Sequence, residues 1–234
     1  MQQRLPGTSG WGGKREGAGR KPGPRPRTLH RARAVHSERH PVHLTLRSRR
    51  EVTSLRAPLV FAAIVGAIRM GQRDSFRVVH YSVQEDHLHL FVEATDSPAL
   101  ERGVRGLLVR VARAVNRVLQ RRGSLWADRY HRRDLRTPRE VQHALAYVLC
   151  NDRKHHVGVP QFDACSSAAW FDGWRGQRPA PPAGEDPPVR AARTWLLTTG
   201  WRRHGLLDPW HTPGERESWR RRAEARGRCW HTIE

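Results

Sequence analysis

Phe76-Arg-Val-Val-His-Tyr-Ser-Val83, Gln84-Glu-Asp86 and His87-Leu-His-Leu-Phe-Val-Glu93 follow one another without a gap. A first run rich in Val, Tyr and Phe and a second that alternates His with Leu flank three polar residues, the pattern of two strands joined as a hairpin. In the second run Leu88, Leu90 and Val92 fall on one side, and His87 and His89 on the other, because successive side chains of a strand alternate between faces. Upstream, Pro41-Val-His-Leu-Thr-Leu-Arg47 alternates strictly, Val42, Leu44 and Leu46 against His43, Thr45 and Arg47, and reads as a half-buried strand. Leu55 to Met70 reads as a mostly buried helix that admits Pro58 only in its first turn. Downstream, Ser97-Pro-Ala-Leu opens a helix predicted to run to about Arg122 and to end at Gly123. Val104, Leu108, Val111, Val115 and Val118 form its apolar stripe, while Arg110, Arg113, Arg117 and Arg121 recur at the same spacing on another face. A short strand is expected between Leu125 and Leu135. Thr137-Pro-Arg-Glu140 then supplies an N-cap, a Pro at the first helical position and a Glu, starting a helix predicted to reach about Lys154. The element order implies an α+β, ferredoxin-like split βαβ fold, with a four-stranded antiparallel sheet and one extra C-terminal helix.

The flanks differ sharply from this middle. The chain of 234 residues carries 43 Lys+Arg against 22 Asp+Glu, a formal net charge of +21. Such a balance speaks against a generic metabolic enzyme and for a polyanionic partner. Residues 1–50 hold 13 Lys/Arg and only Glu16 and Glu38 as acids. Gly7 to Arg33 has too few apolar side chains to offset ordering entropy, so residues 1–40 read as a disordered basic tail. Within it, Gly17-Ala-Gly-Arg-Lys-Pro-Gly-Pro-Arg-Pro-Arg27 resembles a minor-groove hook, with Arg20, Lys21 and Arg25 as DNA contacts, although non-specific electrostatics explains the same residues. The folded domain is expected at 41–158. Residues 159–234 form a Pro- and Trp-rich region with seven of the nine Trp, of which Trp195, Trp201 and Trp210 suit either base stacking or a small core. The longest apolar stretch, Ala57 to Ile68, falls short of the ~20 residues that span a bilayer. No secretory h-region is visible at the N-terminus, and the three Cys form no Cys-x-x-Cys pair. A cytoplasmic, nucleoid-associated protein with no membrane partner is the expectation.

The candidate chemistry lies in two places. His87 and His89 stand side by side on a rigid strand and make half of a metal site, although solvated strand histidines would look the same. Tyr147 and Asn151 are four apart on the last predicted helix and share its face. A phenol with a reference pKa of ~10 needs a nearby cation or base to act as a nucleophile. An Asn one turn on offers a carbonyl oxygen to a hard cation. Taken alone, Tyr147 also reads as a core aromatic among Ala144, Leu145 and Val148.

His87-Leu88-His89 resembles the His-hydrophobic-His motif of the HUH endonucleases, and Ala144-Leu-Ala-Tyr147-Val-Leu-Cys-Asn151 resembles the tyrosine helix of the single-tyrosine transposases, in particular the REP-associated tyrosine transposases. Ser124-Leu-Trp-Ala-Asp-Arg-Tyr-His131 is similar to the segment that joins the Arg-rich helix to the tyrosine helix in that family. One departure is Asp152 after Asn151, where the family commonly has Pro. The resemblance covers residues 41–158. It implies Mg²⁺ or Mn²⁺ held by His87, His89 and Asn151; His43 or Asp86, which lie in no matching motif, could replace or join Asn151 and rank below it. It also implies attack by Tyr147 on single-stranded or hairpin DNA through a 5′-phosphotyrosine, in a monomer or a homodimer. Arg110, Arg113, Arg117 and Arg121 would contact phosphates, unless the stripe is an ordinary solvated face. The competing reading is a non-catalytic nucleic-acid-binding protein, a ferredoxin-like module with a basic arm that needs neither His87 nor Tyr147.

Overall fold

Alternating strands and amphipathic helices fold here so that one sheet separates two different cores. The computed structural model describes residues 34–152, 162–176 and 178–211, all but Ala34 within the unit Val35–Glu234. Arg20, Lys21 and Arg25, the predicted helix beyond residue 152, and Trp219 and Trp230 lie outside the described residues.

The elements are β1 (Val42–Arg47), α1 (Pro58–Gly71), β2 (Phe76–Val83), β3 (His87–Ala94), α2 (Ser97–Val118), β4 (His131–Asp134) and α3 (Pro138–Leu149). The strands form one sheet in the order β2-β3-β1-β4, with every pairing antiparallel. That is the expected split βαβ architecture. Each βαβ half leaves a gap beside its first strand that a strand of the other half fills.

The period-2 pattern decides which side chains each face receives. Val42, Leu44, Leu46, Leu88, Leu90 and Val92 pack under α1 and α2. Gly103 lets α2 approach β2, since a Cβ there would fall 2.2 Å from the Phe76 ring. On the other face Phe91 and Val79 join Val141, Leu145 and Val148 of α3. A register shift between Val78 and His80 sets the adjacent Val79 and His80 on the same face, Val79 in the second core and His80 against Phe91 and Phe171. The second core is completed from far along the chain by Phe171, Trp174, Trp201 and Leu207, with Trp174 and Trp201 fully buried. The Glu93 carboxylate accepts from the backbone N–H groups of Arg193 and Thr194, each at 2.8 Å, and ties that late segment to β3.

Three boundaries depart from the sequence reading. Helix α2 stops at Val118, and Gln120 rather than Gly123 first takes a left-handed conformation, at φ +48°. Strand β4 shrinks to four residues. Helix α3 starts as expected, with Thr137 and Glu140 forming a reciprocal capping box, but ends at Leu149 instead of near Lys154. Its last capping bond runs from the Cys150 N–H to the Ala146 carbonyl. Beyond it, Asp152 is buried 3.5 Å from the Arg56 guanidinium, which fixes the chain next to Asn151.

Candidate active site

The polar face of the sheet gathers the predicted residues. His87 and His89 project from β3 on the side away from α1 and α2, their ring centroids 4.7 Å apart. Helix α3 crosses this face and sets the Tyr147 ring edge-on to His89, with centroids 5.3 Å apart, and 6.3 Å from His43. The chain brings Tyr147 here because Val141, Leu145 and Val148, three and four residues apart, bury the helix's apolar stripe against Phe91 and the late tryptophans.

Asn151 follows four residues after Tyr147, one residue past the helix cap, and is completely buried. Neither its amide oxygen nor its amide nitrogen has a hydrogen-bond partner among the described residues. A buried, unsatisfied amide costs about 1–3 kcal/mol, and its carbonyl oxygen is of a kind that hard cations accept. Among the described residues no three His, Cys, Asp or Glu side chains converge as a metal group. Two imidazoles and one amide are donors of a kind that a divalent cation accepts.

Strand β1 runs directly behind the pair. Thr45 is opposite His89 and Arg47 opposite His87 in the antiparallel register. His89 Nδ1 lies 3.1 Å from His43 Nε2 and 3.2 Å from Thr45 Oγ1. His87 Nδ1 lies 2.7 Å from Asp86 Oδ1, while the other Asp86 oxygen accepts from Arg47 Nε and Nη2 at 3.1 and 2.8 Å. His43 and Asp86 thus stand against the Nδ1 side of each ring. Asp86 is held below the usual carboxylate range, first by its hydrogen bond to His87 and then by Arg47. Burial, with Arg133 and His131 nearby, lowers the His43 pKa to about 4, so its ring is neutral.

The α2 stripe stands elsewhere. Helix α2 covers the opposite face of the sheet, so Arg110, Arg113, Arg117 and Arg121 are not brought to the His–Tyr cluster. The basic residues that share its face come from β4, where Arg133 pairs with His43 and His131 with Thr45. Composition alone hid these residues. The alternation of 42–47 marks His43, Thr45 and Arg47 as a polar row, but only the strand order shows that β3 and β4 flank it. Of the tryptophans considered for stacking, Trp201 is core, whereas Trp195 and Trp210 are about half exposed.

The model of one family, described as "Transposase IS200 like", matches residues 37–149. Among solved structures the chain is similar to a REP-associated tyrosine transposase bound to a REP hairpin, at 14% identity and a TM-score of 0.54. The match covers 71% of this chain and 100% of that one. At that identity the likeness shows the fold. No curated protein matches.

Proposed function

We propose, from the match of residues 37–149 to the model of the IS200-like transposases, that the protein cuts and rejoins single-stranded, hairpin-forming DNA through Tyr147. The observation that carries this reading is the Tyr147 ring standing 5.3 Å from His89, beside the His87–His89 pair, on a helix pinned by two layers of packing. His87, His89 and the buried Asn151 amide would hold Mg²⁺ or Mn²⁺. Such an ion, when bound, withdraws charge from a non-bridging oxygen of the scissile phosphate. The Tyr147 hydroxyl is the group on α3 able to attack phosphorus. An Oη–P bond forms and the P–O3′ bond breaks, leaving a 5′-phosphotyrosine, with the phenolic proton ending on the released 3′-hydroxyl. Attack by a 3′-hydroxyl reverses both changes, so cleavage and joining need no external energy source. The Arg133 guanidinium on the same face suits an incoming strand. Arg110, Arg113, Arg117 and Arg121 would add phosphate contacts away from the reacting atoms, and Arg20, Lys21 and Arg25 would add further phosphate contacts.

The test is a denaturing gel of labelled hairpin oligonucleotide incubated with protein and Mn²⁺. The parent protein is expected to form a covalent adduct. Tyr147→Phe, which keeps the ring and removes one hydroxyl, is expected to bind the DNA and form none. Adduct formation by Tyr147→Phe, or binding without adduct by the parent across a range of hairpins, would return the protein to the class of non-catalytic DNA-binding modules.

A further inference from the structure

The polar row of β1 is more regular than a strand exposed to solvent requires. His43, Thr45 and Arg47 occupy every second position, and each meets a group of the β3 histidine motif or its flanking carboxylate. We propose that this row, together with Asp86, is the positioning layer of the metal site. His87 donates its Nδ1–H to Asp86, and His89 donates its Nδ1–H to His43 Nε2, so that the lone pair each histidine offers the cation is the one on Nε2. The proposal rests on the functional reading above and names the residues that set its ligand geometry.

Three features carry it. The first is distance: 2.7 Å from His87 Nδ1 to Asp86 and 3.1 Å from His89 Nδ1 to His43 are hydrogen bonds at one defined nitrogen of each ring. In a neutral imidazole one nitrogen bears hydrogen and the other a lone pair, so a bond donated from Nδ1 leaves Nε2 as the ligand atom. The second is the layer's own support. Asp86 is gripped by the Arg47 guanidinium, and its backbone carbonyl accepts from the Ser48 N–H at 2.8 Å, tying the β2–β3 turn to the end of β1. His43 is stacked on Phe91 with centroids 5.5 Å apart. The third is the sheet itself. Antiparallel pairing of Thr45 with His89 and Arg47 with His87 sets the layer rigidly, one strand over from the ligands. Outer partners of this kind typically hold ten- to hundredfold in metal affinity.

Two measurements on the full chain test it. Long-range ¹H–¹⁵N NMR of the metal-free protein is expected to show His87 and His89 as Nδ1–H tautomers. Calorimetric titration with Mn²⁺ is expected to show binding weakened about ten- to hundredfold in His43→Phe, which keeps the stacked ring but accepts no hydrogen bond. His43→Gln, whose amide oxygen can accept, is expected to stay near the parent, and Asp86→Ala to weaken binding as His43→Phe does. An Nε2–H tautomer at His89, or parent-like Mn²⁺ affinity in His43→Phe, would overturn the proposal. A parent protein without any Mn²⁺ site would overturn the functional reading and this proposal with it. That outcome is distinguishable because the parent fails, not the variant.

Discussion

The two faces of this sheet are built from the same strands and serve opposite ends. Under α1 and α2 the face is closed and apolar, with Leu44, Leu88 and Leu90 all fully buried. Across the sheet, residues one position away in sequence are His43, Thr45, His87 and His89, with Tyr147 of α3 set against His43 and His89. Both faces remove apolar area from water, but on the second, beside Phe91 and Val79, hydrogen bonds at defined nitrogens also set how side chains point. A period of two thus places a reactive row directly on the back of a rigid core. Rigidity of that kind is what holding a phosphate in line for attack requires.

The largest expected effect breaks the cover of the polar face. Trp201→Ala removes a buried indole that packs on Phe171 at 5.4 Å and donates to the Leu197 carbonyl at 2.9 Å. It should cost about 3–5 kcal/mol in urea unfolding. A near-neutral result would mean that the late segment is not part of the core. Leu90→Ala, on the apolar face, should cost about 2–5 kcal/mol and leave Mn²⁺ binding at stoichiometric protein unchanged. The paired variant His87→Ala, His89→Ala should do the reverse, keeping a cooperative unfolding transition while its calorimetric Mn²⁺ signal vanishes. If the histidine pair destabilised as Leu90→Ala does, the division of labour between faces would be wrong.

Acid sharpens the same contrast. His43 and His80, both on the polar side, have pKa values lowered to about 4, chiefly by burial. A folded-state pKa below the unfolded 6.5 means that the unfolded chain takes up protons first. Their contribution is fully present above pH 6.5 and is lost as pH falls toward 4. The urea midpoint should drop through that window, and less so in His80→Phe.

The smallest effects concern DNA affinity. Arg133→Ala should lower the slope of log K against log salt by about 0.7, the share of one single-strand phosphate contact. Arg113→Ala, on the helix across the sheet, gives the comparison that decides which face the strand follows. Deleting residues 1–33 should flatten the slope further while leaving single-turnover cleavage at saturating DNA intact.

Much of the fold was legible because its signals are local. The alternation in 42–47 and 87–93, the capping box at Thr137 and the Arg-rich helix each lie within one element. The His pair and Tyr147 were legible for the same reason. What escaped the sequence depends on strand order and on contacts over long separations. Nothing near residue 43 announces that its ring will meet His89, and Trp201 reads as well for stacking as for burial until α3 lies beneath it. The end of α3 was missed because Asn151 and Asp152 are compatible with another helical turn. A buried pairing with Arg56, about a hundred residues earlier in the chain, fixes Asp152 instead.

The central claim is that Tyr147, and no other phenol, becomes joined to DNA. The direct measurement is mass spectrometry of the adduct after nuclease trimming and trypsin digestion. Tyr147 lies in the tryptic peptide 140–153, and Tyr130, the other partly exposed tyrosine, in 130–132. The account predicts a residual nucleotide on peptide 140–153 alone; a nucleotide on 130–132, with 140–153 unmodified, would contradict it.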